Sequence, residues 1–190
     1  MISTCSYFRN NLLITDLYSI SQKYLQKLTT DVLKYPIFSH VTKLNAGFNK
    51  NITNVSFMKS LQILNTKHSC GIDQMGIHEL KLVKLIITNN INITNVSFMK
   101  SLKLLDISGY NCCMNQNGIN GLELVKLNAS NNRQIINVSF MKSLKILYAS
   151  NNCGINQNGI NQNGINQNGI NGLDLIKLCV GDNEKITCSK

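Results

Sequence analysis

The nine residues Thr-Asn-Val-Ser-Phe-Met-Lys-Ser-Leu stand at 53–61 and return unchanged at 94–102. A third copy, differing only in its first residue, occupies 136–144. Identity over this length marks internal duplication. A duplicated chain folds as stacked copies of one small unit rather than around a single irregular core. One such unit cannot bury its own apolar side, so stability becomes a sum over units and the contacts between them. Function is then expected on an extended surface rather than in a pocket.

Aligned on the aliphatic residue that opens each unit, the copies begin at Val41, Leu61, Leu82, Leu102, Leu124, Leu144 and Leu175. Each continues as L-x-x-L-x-(small or aliphatic)-x-x-(Asn or similar). Val41, Leu44, Ala46 and Asn49 form the first unit, and Leu124, Leu127, Ala129 and Asn132 the fifth. Alternation at positions four and six predicts a short strand with one buried face. A second aliphatic series (Ile52 and Val55, Ile93 and Val96, Ile135 and Val138) is expected to bring the chain back over the core. Phe57, Phe98 and Phe140 are expected to fill that return side, each contributing ~2–3 kcal/mol if fully buried.

The pattern L-x-x-L-x-L-x-x-N, kept over residues 41–190, resembles the leucine-rich repeat family. The resemblance implies an α/β-type solenoid, a right-handed coil with a parallel sheet on its concave side and a mostly irregular or short-helical convex side. It also implies a ladder of Asn side chains inside the turns, where their amides satisfy backbone groups that water cannot reach. Asn49, Asn90, Asn132, Asn152 and Asn183 would form that ladder, with Ser69 and Tyr110 interrupting it. The wording of the units is similar to that of leucine-rich repeat paralogues of giant DNA viruses of amoebae.

A longer period overlies the short one. The odd units open at 41, 82, 124 and 175, spacings of 41, 42 and 51 residues. The duplicated unit is therefore read as a pair of repeats. The excess of ten sits in the sixth unit, where Ile-Asn-Gln-Asn-Gly runs three times through 155–169. Five residues match neither a helix nor a strand period, so this insert is expected as a loop on the convex side or edge. Neutral expansion is the favoured account of it, a lid the other.

Residues 1–40 do not fit the repeat. Asp16 is expected to cap a helix in which Leu17, Ile20, Tyr24 and Leu28 share a face, extended by Val32 and Leu33 and ended by Pro36. The segment is read as an N-terminal helical cap, and 41–190 as a solenoid of about seven units with the seventh incomplete. A sharper alternative is an F-box-like adaptor segment for a host ubiquitin ligase, though the Leu-Pro start of such boxes is missing.

The net charge is +10, and 29 of 190 residues are Asn. The charge favours acidic partners or anionic surfaces, although an AT-rich genome would enrich Lys and Asn without selection. No block of like charges supports a basic tail. No stretch reaches the ~20 apolar residues of a membrane span, and the N-terminus lacks a signal-peptide pattern. An intracellular, cytoplasmic, monomeric protein is expected, in host cytoplasm if the source is viral. The six N-x-S/T sequons, at Asn51, Asn54, Asn92, Asn95, Asn128 and Asn137, then reflect composition. Seven cysteines without metal spacing suit a reduced compartment. Cys70, Cys112 and Cys153 recur in even units, where alternate coils lie ~10 Å apart, too far for a disulfide, so buried thiols are expected.

The residues flanking position four should face outward on the sheet. Lys43, Lys84, Lys126 and Lys177 alternate there with Ile63, Leu104 and Ile146, bordered by Asn45, Asn65, Asp106, Asn128 and Tyr148. Such a basic and apolar stripe suits a protein partner: apolar anchors give affinity and charge gives steering. Lys59, Lys100 and Lys142 are expected as a second, solvated row. His40, His68 and His78 are scattered, and no nucleotide, metal or catalytic motif is present, so neither a cofactor nor an enzymatic activity is expected. RNA recognition would want aromatics among the basic residues, and Tyr148 stands alone on the expected face. The sequence thus points to a non-enzymatic protein–protein interaction module. The ligase adaptor is its first alternative, and an anionic-surface or nucleic-acid binder its second.

Overall fold

In a computed structural model, residues 13–156 and 173–184 are described. Eight strands make one parallel sheet in strict chain order. They are β1 (Asp16–Leu17), β2 (Lys43–Asn45), β3 (Ile63–Asn65), β4 (Lys84–Ile86), β5 (Leu104–Asp106), β6 (Lys126–Asn128), β7 (Ile146–Tyr148) and β8 (Lys177–Cys179). Each strand carries one aliphatic residue inward, and the register sets these residues side by side: Leu17, Leu44, Leu64, Leu85, Leu105, Leu127, Leu147 and Leu178. Parallel strands need a crossover, and here each coil provides it in some twenty residues. The chain is a parallel-strand solenoid with few helices.

The return path obeys a three-residue rhythm. Ile52, Val55, Met58 and Leu61 are all buried, as are Ile93, Val96, Met99 and Leu102, and Ile135, Val138, Met141 and Leu144. Phe57 and Phe98 fall out of phase, 37% and 42% exposed, and Phe140 is only partly buried. The methionine of Phe-Met therefore fills the core, contrary to the expectation from sequence. An unbranched, flexible thioether suits an irregular return segment better than a rigid ring.

The N-terminal segment also departs from expectation. Asp16 and Leu17 form β1, paired with Lys43 and Leu44, and no helix starts at Asp16. Asp16 instead accepts the Tyr18 N–H through Oδ1 at 2.8 Å. The helical content is two single turns, α1 (Gln22–Leu25) and α2 (Thr30–Leu33), followed by a 3₁₀ turn at Pro36–Phe38. Thr29 caps α2 by accepting the Val32 N–H at 3.2 Å. Leu17, Leu25 and Leu33 are buried, so 14–38 makes a further coil covering the core of the first repeat.

From β2 to β8 the turn after each strand passes through one residue of positive φ: Phe48, His68, Asn89, Gly109, Asn131, Asn151 and Gly181, while Glu79 and Gly121 adopt it later in their coils. Asn and Gly tolerate this left-handed conformation. The Asn-Asn pairs at 89–90 and 131–132 divide the labour, the first Asn supplying the conformation and the second the buried amide. Asn49 Nδ2 donates to the Leu25 and Leu28 carbonyls at 2.6 and 3.0 Å. Asn90 Nδ2 reaches Thr66 O at 2.8 Å, and Asn132 Nδ2 reaches Ile107 O and Met114 O at 3.2 and 3.1 Å. Asn183 Nδ2 bonds Ala149 O and Ile155 O at 2.7 and 3.1 Å. Every one of these carbonyls belongs to the preceding coil.

Asn152 stands outside this series, exposed, with its Nδ2 3.4 Å from the Tyr110 hydroxyl. In even units at least one extra residue follows the left-handed one, and the buried place passes to Cys70, Cys112 and Cys153. Asn and Cys thus alternate along the stack. Burial pushes the Cys70 and Cys112 thiols up to about 11. The Ile-Asn-Gln-Asn-Gly insert at 155–169 lies almost wholly outside the described residues.

Two outcomes follow. Asn132→Ala leaves two buried carbonyls and the Gln134 N–H without a partner. It should lower unfolding free energy in urea by about 2–3 kcal/mol, whereas Asn152→Ala should change it by less than about 0.5 kcal/mol. The folded state favours the protonated thiols, so their contribution is whole below pH ~9 and is lost as pH rises toward ~11. Peptide-resolved alkylation at pH 8 should accordingly spare Cys70 and Cys112 while half-buried Cys113 reacts.

Candidate binding face

The outward side chain at the first position of each strand alternates without a break. Lys43, Ile63, Lys84, Leu104, Lys126, Ile146 and Lys177 are mutual register partners from β2 to β8. All are half-buried or exposed. The alternation follows from the two-coil duplication: odd units carry the cation, even units the aliphatic residue.

The lysines are not equivalent. Lys43 Nζ pairs with Asp16 Oδ2 at 3.2 Å. The Tyr18 N–H and this ammonium hold the Asp16 carboxyl below its ordinary range. Lys84 lies 5.8 Å from the Tyr18 ring centroid, and Lys126 and Lys177 lie 5.1 and 5.5 Å from that of Tyr148. An aromatic face steadies an ammonium without cancelling its charge. Among the described residues no carboxylate oxygen stands within 4 Å of Lys84, Lys126 or Lys177. Three of the four cations are therefore uncompensated by ion pairs.

The second outward column has another role. Asn45, Asn65, Asp106 and Asn128 each accept the N–H two residues ahead, from Gly47, Lys67, Ser108 and Ser130, at 3.0–3.2 Å. These side chains end the strands. Asn65 is only 5% exposed, which removes it from the candidate contacts. Asp106 is a hub: it also accepts from Thr88 Oγ1 and Ser108 Oγ, and its Oδ2 takes the Asn128 amide at 3.1 Å. Ile86 and Cys179 complete the column. Counting by position could have supplied both.

Tyr18 is the residue that sequence reasoning missed on this face. It follows β1 and reaches across β2 and β3, where its ring meets Lys84. Burial pushes the Tyr18 phenol above its ordinary value, and the Asp106 carboxylate adds to the shift. The only available signal was Ile14 three residues before Leu17, the spacing that opens the other units. Tyr18 occludes the start of the stripe and leaves β4 to β8 open. There Lys84, Leu104, Asp106, Lys126, Asn128 and Tyr148 border a hollow of about 220 Å³.

The return-side lysines behave differently. Lys59 pairs with Glu79 at 3.0 Å, and Lys100 donates to Gly121 O at 3.1 Å. Among the described residues no group of three His, Cys, Asp or Glu could hold a metal ion, and no helix is long and apolar enough to cross a membrane.

Asp106→Ala removes the acceptor of four donor contacts on a partly exposed site and should cost about 1–2 kcal/mol. Lys126→Glu should leave stability within about 0.5 kcal/mol, as urea midpoints at fixed m-value would report. Comparison with family models, with curated proteins and with solved structures finds no match to this chain.

Proposed function

We propose that the protein is a non-enzymatic interaction module, which binds a protein partner with an acidic surface on the outer face of the sheet. The supporting observation is the unbroken alternation of cation and aliphatic residue, with Lys84, Lys126 and Lys177 free of ion pairs among the described residues and a hollow between Lys84 and Lys126. Apolar positions supply burial and the lysines supply steering and register. In the second column Asn45, Asn65, Asp106 and Asn128 are engaged in ending strands, which leaves recognition to the first column and Tyr148.

The same reading takes each coil as a leucine-rich repeat with its strands on the concave side. It places a monomeric protein in the cytoplasm, where buried thiols persist reduced. The ligase-adaptor alternative gains no support, because Leu17, Leu25 and Leu33 are buried in the stack rather than offered to a second protein.

Affinity capture from the source cells tests the proposal. Charge reversal at Lys84, Lys126 and Lys177 together should weaken capture at least about tenfold, the loss expected when like charges are opposed across an interface. Reversal of Lys59 and Lys100 should leave capture intact. Equal capture by all variants would sink the reading.

A further inference from the structure

Resting on that binding face, we infer that its ligand is an extended acidic peptide in the polyproline II conformation, with Asp or Glu at every third residue. It lies across strands β4 to β8. Three acidic side chains, at positions one, four and seven, meet Lys84, Lys126 and Lys177.

The spacing carries the argument. Adjacent parallel strands lie about 4.8 Å apart. Lys84, Lys126 and Lys177 sit on alternate strands in unbroken register, so their backbone origins recur every ~9.6 Å. A polyproline II chain rises ~3.1 Å per residue with three residues per turn, and returns the same side of itself every ~9.3 Å. A β-strand ligand presents one side every ~6.7 Å and loses phase after a single lysine. A helical ligand returns the same side of itself every ~5.4 Å, out of phase with the ~9.6 Å between lysines.

The surroundings agree with a slender, carbonyl-rich chain. Tyr18 closes one end of the open stretch, and Tyr148 stands between Lys126 and Lys177. Aromatic side chains beside a narrow groove are how proline-rich segments are held elsewhere. Leu104 and Ile146 fill the places between the lysines, opposite the two residues of each ligand turn that carry no acid. Lys43 is excluded, since Asp16 already pairs with it. That limits the ligand core to three cations and seven residues.

Two fluorescent heptapeptides of one composition, rich in proline, test the idea by anisotropy with the full chain. One carries Glu at positions one, four and seven; its isomer carries Glu at one, three and five. The first should bind about tenfold more tightly. Single reversals K84E, K126E and K177E should each weaken it several-fold, and K100E should not, with melting curves confirming that all variants fold. Equal binding of the isomers, tighter binding of a uridine oligonucleotide of equal charge, or no binding of either peptide to folded protein would overturn the inference. The wider proposal fails separately, if partner capture ignores the lysine reversals.

Discussion

A buried Asn amide that reaches back to carbonyl groups of the preceding coil is the interaction on which the stack depends. The turn after each strand buries backbone oxygens that no strand partner can satisfy. An unpaired buried carbonyl costs about as much as a hydrogen bond that is never made. Asn49, Asn90, Asn132 and Asn183 meet this need, and three of them also accept the N–H two residues ahead. One side chain thus fixes its own turn and docks it on the neighbour. Cysteine, small and weakly polar, fills the equivalent place in the intervening coils, where Ile72 N–H lies 3.5 Å from Cys70 Sγ.

The two faces of a coil are consequently unlike. From an even coil to the next odd coil, amides make the joint. Gln74 Oε1 accepts from Thr94 and Asn95, and Gln116 Oε1 from Ile136 and Asn137, while each Nε2 donates back to a carbonyl. From an odd coil to the next even coil, glycine makes it. Gly71 donates its N–H to Asn49 O, and a Cβ on Gly76 or Gly118 would stand 2.4 or 2.3 Å from a carbonyl oxygen of the coil before. Close backbone contact on one side and side-chain bridging on the other explain why the sequence repeats by pairs.

Much of this was legible in the residues. The L-x-x-L spacing placed seven strands and their outward lysines because a strand exposes one face at every second residue. The eighth, β1, escaped because two residues cannot show a period and because Asp16 and Leu17 also suit the start of a helix. Asn152 was misplaced by counting at fixed offset from Leu144, which fails where a turn gains a residue. Choosing Phe over Met for the core ignored the three-residue rhythm of Ile52, Val55, Met58 and Leu61. The strand-ending bonds of Asn45, Asn65, Asp106 and Asn128 looked like recognition groups because Asn and Asp are read equally well as contacts and as turns.

The alternation of joints imposes parity. Loss of a single coil would bring two odd or two even coils together. Two odd neighbours would set lysines on adjacent strands, about 4.8 Å apart, where like charges oppose pairing. Their shared joint would lack both the bridging glutamine and the close-packed glycine. Such an array can shorten or lengthen by coil pairs at little cost, and each added pair extends the outward stripe by one cation in phase with the rest. Length could then vary between related chains while the repeat distance offered to a ligand stayed fixed.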